Sequence, residues 1–167
     1  MKTTFNWGDN TIDSRDIISR HEELQDEFDS LLEALREAQD NFETIDHSDD
    51  NSLAEFQNSE NSISEAQEEL DQFNQSFDRD ELDTLKQVIA EGEDSPDWSH
   101  GEILIHETYF SDYIKDIIND CYEMPKEFES GSWPWNHITL DYEGAAEEAK
   151  SDYYTIEVDG HSYYLRA

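Results

Sequence analysis

The chain has 167 residues, and its 44 Asp and Glu residues against 10 Lys and Arg give a formal net charge of −34 at pH 7. This length fits one compact domain, or a small domain with an extended element, and 12% aromatic residues supply material for a core. So much negative charge repels phosphates and anionic membranes and attracts basic protein surfaces. We therefore expect no direct binding to nucleic acid or membrane, and a partner with a basic groove.

The N-terminal stretch MKTTFNWGDNTIDSRD lacks the apolar run of a signal peptide, and no stretch has the roughly 20 apolar residues of a membrane span. Cys121 is the single cysteine, which excludes an intramolecular disulfide and gives no sign of an oxidising compartment. These features predict a cytoplasmic location.

The first predicted element is a long helix from residue 13 to about residue 45, with Asp13 as its N-cap. Its apolar residues follow the 4-3 spacing of a helix that packs along a partner helix. This seam, interrupted only by His21, consists of Ile17, Leu24, Phe28, Leu31, Leu35, Ala38, Phe42 and Ile45.

A second long helix is predicted over residues 52–77, capped by Ser52, after the polar turn DHSDDNS. Its seam residues are Phe56, Ile63, Ala66, Leu70, Phe73 and Phe77. A shorter helix, capped by Asp80, should then end at Gly92 because Pro96 prevents its continuation. Two long helices joined by a short polar turn predict an antiparallel hairpin.

Beyond Pro96 the sequence predicts a small α+β module. A helix is predicted after the apolar run at 103–105. Its inward, apolar face consists of Phe110, Tyr113, Ile114, Ile117, Ile118 and Cys121. A helix over about 139–151 should have an inward face of Tyr142, Ala145, Ala146 and Ala149. Finally, Asp159-Gly160 lies between two alternating segments and predicts a β-hairpin with a type I′ turn.

The predicted fold class is therefore mainly α, a long antiparallel, coiled-coil-like helical hairpin followed by a small α+β module with a C-terminal β-hairpin. The predicted domains are an N-terminal segment (1–12), the acidic helical hairpin (13–92) and the α+β module (97–167). The pattern leaves open whether the long helices pair within one chain or across a homodimer.

Motifs for metal binding and catalysis are incomplete. The segment DRDELDTLKQVI, which begins at Asp78, lacks the glycine of a calcium loop, and His100, His106, His137 and His161 have no zinc-ligand spacing. Neither a nucleophile elbow nor a phosphate-binding loop is present, and Cys121 on an apolar helix face is typical of an inert core cysteine. We expect no catalytic residue, no metal and no cofactor.

Charge density is the feature that suggests a function. Residues 13–91 hold 25 acids and 5 basic residues, which leaves 25 − 5 = 20 negative charges. Along a hairpin of about 50 Å this is about one charge per 2.5 Å, against about 1.7 Å for duplex DNA. Such a rod predicts a non-catalytic DNA mimic that fills the DNA groove of another protein. The predicted DNA-mimicking surface consists of Glu22, Asp26, Asp29, Glu33, Glu37, Asp40, Glu65, Glu68, Glu69, Asp71, Asp141, Glu147, Glu148 and Asp152.

Two other functions stay open. Trp133 and Trp135, on either side of Pro134, either anchor a corner of the fold or contact a partner. In the second case the chain would be an anti-CRISPR protein or another stoichiometric inhibitor that recognises shape. An acid-rich, lysine-poor composition is also typical of adaptation to high salt, and the chain would then be a structural or adaptor coiled coil.

The C-terminal module resembles a group of acidic proteins common in bacteriophages and mobile elements, and it is similar to that of ArdA-type antirestriction proteins. The matching positions are Tyr109, Phe110, Tyr113, Trp133, Pro134, Asn136, His137, Ile138, Ala145, Ala146, Asp152, Tyr153, Asp159, Gly160, Tyr163 and Arg166. ArdA-type proteins are dimeric DNA mimics that block Type I restriction-modification enzymes. The resemblance implies antirestriction in the cytoplasm of a host cell, through the DNA groove of a Type I restriction-modification enzyme. Taken together with the charge, the predicted partner is the basic DNA-binding groove of a host protein, either a restriction-modification enzyme or a CRISPR effector.

Overall fold

The computed structural model describes residues 6–45, 52–129 and 131–167. Across these ranges the chain is mainly helical, with a small antiparallel sheet of four strands. The helices are α1 (Ser14–Glu43), α2 (Ser52–Asn74), α3 (Phe77–Gly92), α4 (Trp98–Gly101), α5 (Phe110–Cys121), α6 (Lys126–Glu129) and α7 (Tyr142–Ala149). The strands are β1 (Thr11–Asp13), β2 (Ile103–His106), β3 (Tyr153–Val158) and β4 (His161–Arg166), and short 3₁₀ turns occupy Trp135–His137 and Lys150–Asp152.

The chain consists of two compact units. We call Ile18–Gln87 the helical unit, and the residues up to Ile17 together with Val88–Ala167 the sheet unit. The predicted polar turn at 46–51 and the capping side chain of Ser52 lie outside the described part of the chain. Among the described helices, none combines the length and the apolar character that a membrane crossing requires.

The helical unit buries the predicted seams of α1 and α2. Leu24 and Ala38 on α1 and Leu70 and Phe73 on α2 are buried, and the remaining seam positions of these segments up to Phe73 are partly buried. The ring centroids of Phe28 and Phe73 lie 5.5 Å apart. Aromatic side chains in such contact bury large apolar areas, and their burial is the main favourable term in folding. The seam faces of α1 and α2 therefore contact each other.

The end of α2 differs from the prediction. This helix stops at Asn74, and Phe77, a predicted seam residue, is 62% exposed and begins α3, three residues before the predicted cap Asp80. Ser76 accounts for the stop because its hydroxyl donates to the carbonyl of Phe73 at 2.7 Å, and its N–H donates to the same oxygen at 3.0 Å. A serine that satisfies a carbonyl in this way competes with the next helical turn.

In the sheet unit the strand order is β1-β2-β4-β3, with every neighbouring pair antiparallel. One core cluster joins Ile105 of β2 to Phe110 and Ile114 of α5 and to Ala146 of α7. The predicted inward faces of these two helices are confirmed, with one exception. Cys121, placed on the apolar face by its spacing, is exposed because it is the last residue of α5, beyond the part of the helix that the core covers.

A turn and a cap follow the prediction, and one helix is shorter than predicted. Asp159 and Gly160 have φ values of 49° and 78°, the two positive angles that a type I′ turn requires between β3 and β4. Asp13 caps α1, since its Oδ1 accepts the N–H of Arg15 at 2.9 Å. The helix predicted over 139–151 is shorter, α7 from Tyr142 to Ala149, because Asp141 caps it by accepting the N–H of Gly144 at 2.9 Å.

Two contacts of the sheet unit have no sequence signal. Gly92 is the last residue of α3, and the indole of Trp98 occupies the space that a side chain at position 92 would need. Tyr163 of β4 is completely buried, and its hydroxyl donates to the carbonyl of Trp7. Burial raises the pKa of the Tyr163 phenol to about 12.

Candidate functional site

The helical unit carries ten of the predicted mimic carboxylates, and all ten are exposed. They are Glu22, Asp26, Asp29, Glu33, Glu37 and Asp40 on α1 and Glu65, Glu68, Glu69 and Asp71 on α2. Their exposure follows from helical periodicity, because a seam that repeats every seven residues turns the remaining positions to water. We call this set the carboxylate surface.

Three members of the carboxylate surface have glutamine neighbours. Gln25 donates to Asp29 at 2.9 Å, Gln67 donates to Asp71 at 3.1 Å, and Gln72 donates to Glu68 at 3.4 Å. Each pair is four residues apart, the spacing at which exposed helices commonly place Lys or Arg opposite an acid. A glutamine amide orients a carboxylate without cancelling its charge, so the surface keeps its negative potential.

Basic residues are absent from the sequence of α2, because Ser52–Asn74 contains six acids and no Lys or Arg. Two of the arginines in the helical unit are engaged elsewhere. Arg20 pairs with the buried carboxylate of Glu81 at 2.8 Å, and Arg79 pairs with Asp83 at 3.1 Å while lying 4.9 Å from the centre of the Phe28 ring. These two arginines support the fold of the unit and do not neutralise the carboxylate surface.

Depressions in the helical unit are lined by carboxylates. One of about 610 Å³ follows α2 and includes Glu60, Glu68 and Asp71. Another of about 420 Å³ combines Glu27, Glu69 and Asp78 with the ring of Phe73. Carboxylates beside apolar or aromatic surface suit the long side chains of Lys and Arg, which bury an apolar stem and keep a charged head at an oxygen.

The other four predicted carboxylates lie in the sheet unit, on α7 and its flanks, and they are exposed. Two of them have local partners: Asp141 caps α7, and Glu147 pairs with Lys150 at 2.7 Å. Glu148 and Asp152 complete this group. Because one of the four is neutralised by a lysine, this part of the predicted surface carries less net charge than the carboxylate surface of the helical unit.

Trp133 and Trp135 have different environments. Trp133 is 80% exposed, whereas Trp135 is partly buried and its ring lies 5.1 Å from that of Phe128. Trp135 therefore packs within the fold. Trp133 presents its indole to solvent, as an aromatic side chain that contacts a partner does.

Histidines form one cluster that sequence reasoning missed. His106 of β2 and His161 of β4 are hydrogen-bonded through Nε2 and Nδ1 at 3.0 Å, and His106 Nδ1 also contacts the Thr108 hydroxyl at 2.8 Å. The two residues are 55 positions apart, so no local spacing could reveal the pair. Within the described ranges no group of three or more His, Cys, Asp or Glu side chains is placed to hold a metal ion.

These features define the chain as a highly acidic, mainly helical protein with a small antiparallel sheet and an exposed surface of carboxylates. Compared with protein-family models, with curated proteins and with solved structures, the chain matches none of them. A function can therefore be inferred only from the residues of the site itself.

Proposed function

We propose that this protein is a non-catalytic DNA mimic that inhibits a DNA-binding defence enzyme of a host cell. Type I restriction-modification enzymes are the first targets to test. The observation that carries the proposal is the carboxylate surface of α1 and α2, where ten acids are exposed and three of them accept hydrogen bonds from glutamine amides. Such a surface attracts the Lys and Arg side chains that line a DNA groove.

The proposal includes an antiparallel hairpin of α1 and α2 with coiled-coil packing. Contacts between the helices support this direction. Phe42 near the end of α1 meets Phe56 near the start of α2, with ring centroids 4.8 Å apart, whereas the earlier Phe28 meets the later Phe73. As the position on α1 moves toward its N-terminus, the partner on α2 moves toward its C-terminus, which is the pattern of antiparallel helices.

A rod of this kind has a length and charge comparable to a short DNA duplex. The 30 residues of α1 span about 45 Å at 1.5 Å per residue. Together α1 and α2 hold 10 + 6 acids and 3 arginines, so that 10 + 6 − 3 = 13 negative charges remain. This is about one charge per 3.5 Å, roughly half the linear density of duplex DNA. The value is lower than the one obtained from the sequence because Asp13 and residues 44–51 and 75–91 lie outside α1 and α2.

Inhibition follows from competition for the same basic groove. A DNA-binding groove holds Lys and Arg side chains that displace counterions from phosphates, and carboxylates at comparable spacing bind the same cations. Because the helices carry no base edges, the mimic should favour enzymes that grip the DNA backbone. No bond is made or broken, so inhibition should be stoichiometric and should weaken as salt screens the charges.

One observation favours a second candidate, an inhibitor of a CRISPR effector or another enzyme that is recognised by shape. The exposed indole of Trp133 could act as an apolar anchor in a pocket of the target. Binding through such an anchor would persist at high salt, whereas binding through the carboxylate surface would not.

A capture experiment tests the proposal. The immobilised protein is exposed to a bacterial lysate and washed with increasing salt, and the retained proteins are then challenged with duplex DNA. We expect a DNA-binding enzyme that elutes at moderate salt and is displaced by the duplex. The matched control replaces the six α1 acids of the carboxylate surface by Asn and Gln, which removes charge while keeping side-chain size. Equal capture by this control would contradict the proposal.

A further inference from the structure

Two adjoining cavities lie in the sheet unit, near the end of α5 and the start of α7. One has a volume of about 420 Å³ and is lined mainly by apolar side chains, Met124, Phe128, Ile138, Leu140 and Tyr142. The other has a volume of about 710 Å³ and is lined mainly by polar residues, among them Asn119, Asp120, Glu123 and Lys126. Met124 lines both cavities, so they form one continuous surface.

A hydrogen bond connects a residue of the apolar cavity to a residue of the polar cavity. The hydroxyl of Tyr142, which lines the apolar cavity, donates to Oδ1 of Asn119 in the polar cavity at 3.1 Å. Lys115 lies with its ammonium 5.7 Å from the centre of the Tyr142 ring, within the range of a cation–π contact. Tyr142 at the edge of the apolar cavity is thus held by Asn119 and Lys115, and its hydrogen bond to Asn119 links the apolar cavity to the polar one.

The apolar cavity is open to solvent. Ile138 and Leu140 are 45% and 38% exposed, and Trp133 lies a few residues before them in the sequence. Single exposed apolar residues are ordinary on protein surfaces, but several around one cavity are typical of a contact site. Met124 at the shared edge suits a contact site because an unbranched thioether side chain adapts to different shapes.

We propose that the two cavities together bind a segment of a partner protein that carries a bulky apolar side chain beside Lys or Arg. The apolar side chain fills the cavity at Leu140, and its basic neighbour faces Asp120 and Glu123 in the polar cavity. Lys126 offsets one of these two carboxylates, so the polar cavity keeps a net negative charge. A second copy of the chain is a poor occupant because both copies carry a net charge of −34.

This docking site is separate from the carboxylate surface, and it does not depend on DNA mimicry. The probe is a synthetic peptide with the sequence Arg-Leu-Arg in a Gly-Ser background. Cys121, the single cysteine, is exposed and lines the polar cavity, so it reports occupancy directly. We expect the peptide to slow alkylation of Cys121 by iodoacetamide, a neutral reagent. Peptides with Arg-Ser-Arg and Glu-Leu-Glu at the same place should leave the rate unchanged.

Variants locate the effect. Leu140→Ser should weaken the protection about fivefold, since it removes apolar area from the cavity. Leu53→Ser is the matched control, because Leu53 on α2 is also exposed, at 67%, and lies in the helical unit. Glu123→Gln should weaken binding of the arginine peptide, whereas Glu157→Gln, at an exposed position of β3 outside both cavities, should not.

The outcomes separate the alternatives. Equal protection by the Arg-Ser-Arg peptide would mean that charge alone attracts the probe, and the docking site would be rejected. Alkylation that slows as the protein concentration rises, with no peptide present, would identify a second copy as the occupant and would also overturn the proposal. Loss of DNA-competed capture with intact peptide binding would reject the mimic and retain this site.

Discussion

Arg20 on α1 contacts Glu81 on α3, with Nη2 and Oε2 2.8 Å apart, and Glu81 is only 4% exposed. Arg20 Nε adds a longer contact to the other oxygen of the same carboxylate at 3.4 Å. The hydrogen bond that Arg20 donates to Glu81 raises the pKa of the Arg20 guanidinium. Although the chain has few basic residues, this arginine pairs with a buried carboxylate inside the helical unit.

Replacement of Arg20 by Met should therefore lower the free energy of unfolding by about 3 kcal/mol, because a buried carboxylate loses its partner. The measurement is urea denaturation followed by circular dichroism. Arg36→Met, at an exposed position of the same helix, is the control and should change stability by less than about 0.5 kcal/mol. The double change Arg20→Met with Glu81→Gln should recover part of the loss. No recovery would show that the arginine acts through packing alone.

Tyr163 should make stability fall at alkaline pH. Its pKa is raised to about 12 because its phenol is buried, so the folded state keeps the proton that the unfolded state releases near pH 10. The protonated phenol contributes up to about 3 kcal/mol to the free energy of unfolding. This contribution is complete below pH 10 and is lost as the pH rises from 10 toward 12. Denaturation at a series of pH values should show a shallower decline for Tyr163→Phe than for the parent protein.

Tyr163→Phe should also lower the free energy of unfolding at neutral pH by about 1 kcal/mol, because the carbonyl of Trp7 loses its hydrogen-bond donor. Some alkaline sensitivity should remain, since burial also raises the pKa values of Tyr113 and Tyr153. Tyr122→Phe, at an exposed tyrosine, is the control and should keep the slope of the parent protein. An unchanged slope for Tyr163→Phe would contradict the assignment.

The free energy with which the carboxylate surface binds a target should be the sum of many small contributions from single carboxylates. Exposed ion pairs contribute roughly 0.2–1 kcal/mol each, so Glu33→Gln alone should weaken target binding by less than about fivefold. At about 0.5 kcal/mol each, neutralising all six α1 acids of the surface should weaken target binding by about 100-fold. Binding is measured by competition with labelled duplex DNA, with helix content as the folding control. A single substitution that abolished inhibition would point to a catalytic or metal-binding role.

Gly92 should be intolerant of alanine even though alanine favours helices. Intrinsic propensity alone predicts a gain of about 1 kcal/mol for Gly→Ala inside a helix. Here the new methyl group would overlap the Trp98 ring, and overpacking typically costs about 1–3 kcal/mol. Thermal denaturation of Gly92→Ala and of Gly92→Ala with Trp98→Leu measures the coupling between the two sites. Additive effects would show that the ring moves away without cost.

Much of the local structure could be predicted from the sequence, because it depends on spacing along a short stretch of chain. The 4-3 seam of α1 identified the buried residues Leu24 and Ala38, and Asp159-Gly160 identified the turn between β3 and β4. The same periodicity placed the carboxylates on exposed positions, since residues outside a seam face water. Spacing failed at Phe77, because α2 ended three residues sooner than predicted, and at Cys121, because this last residue of α5 lies beyond the part of the helix that the core covers.

The sequence by itself thus determined the longer helices, their inward faces and the charge that they expose, whereas the four-residue helices α4 and α6 were not predicted. Only the tertiary structure decided the strand order β1-β2-β4-β3, the contact of Tyr163 with Trp7, the burial of Glu81 against Arg20 and the cavities around Met124. The physical reason is separation along the chain. Periodicity reports which face of an element is apolar, whereas a contact between residues 61 or 156 positions apart depends on the path of all the chain between them.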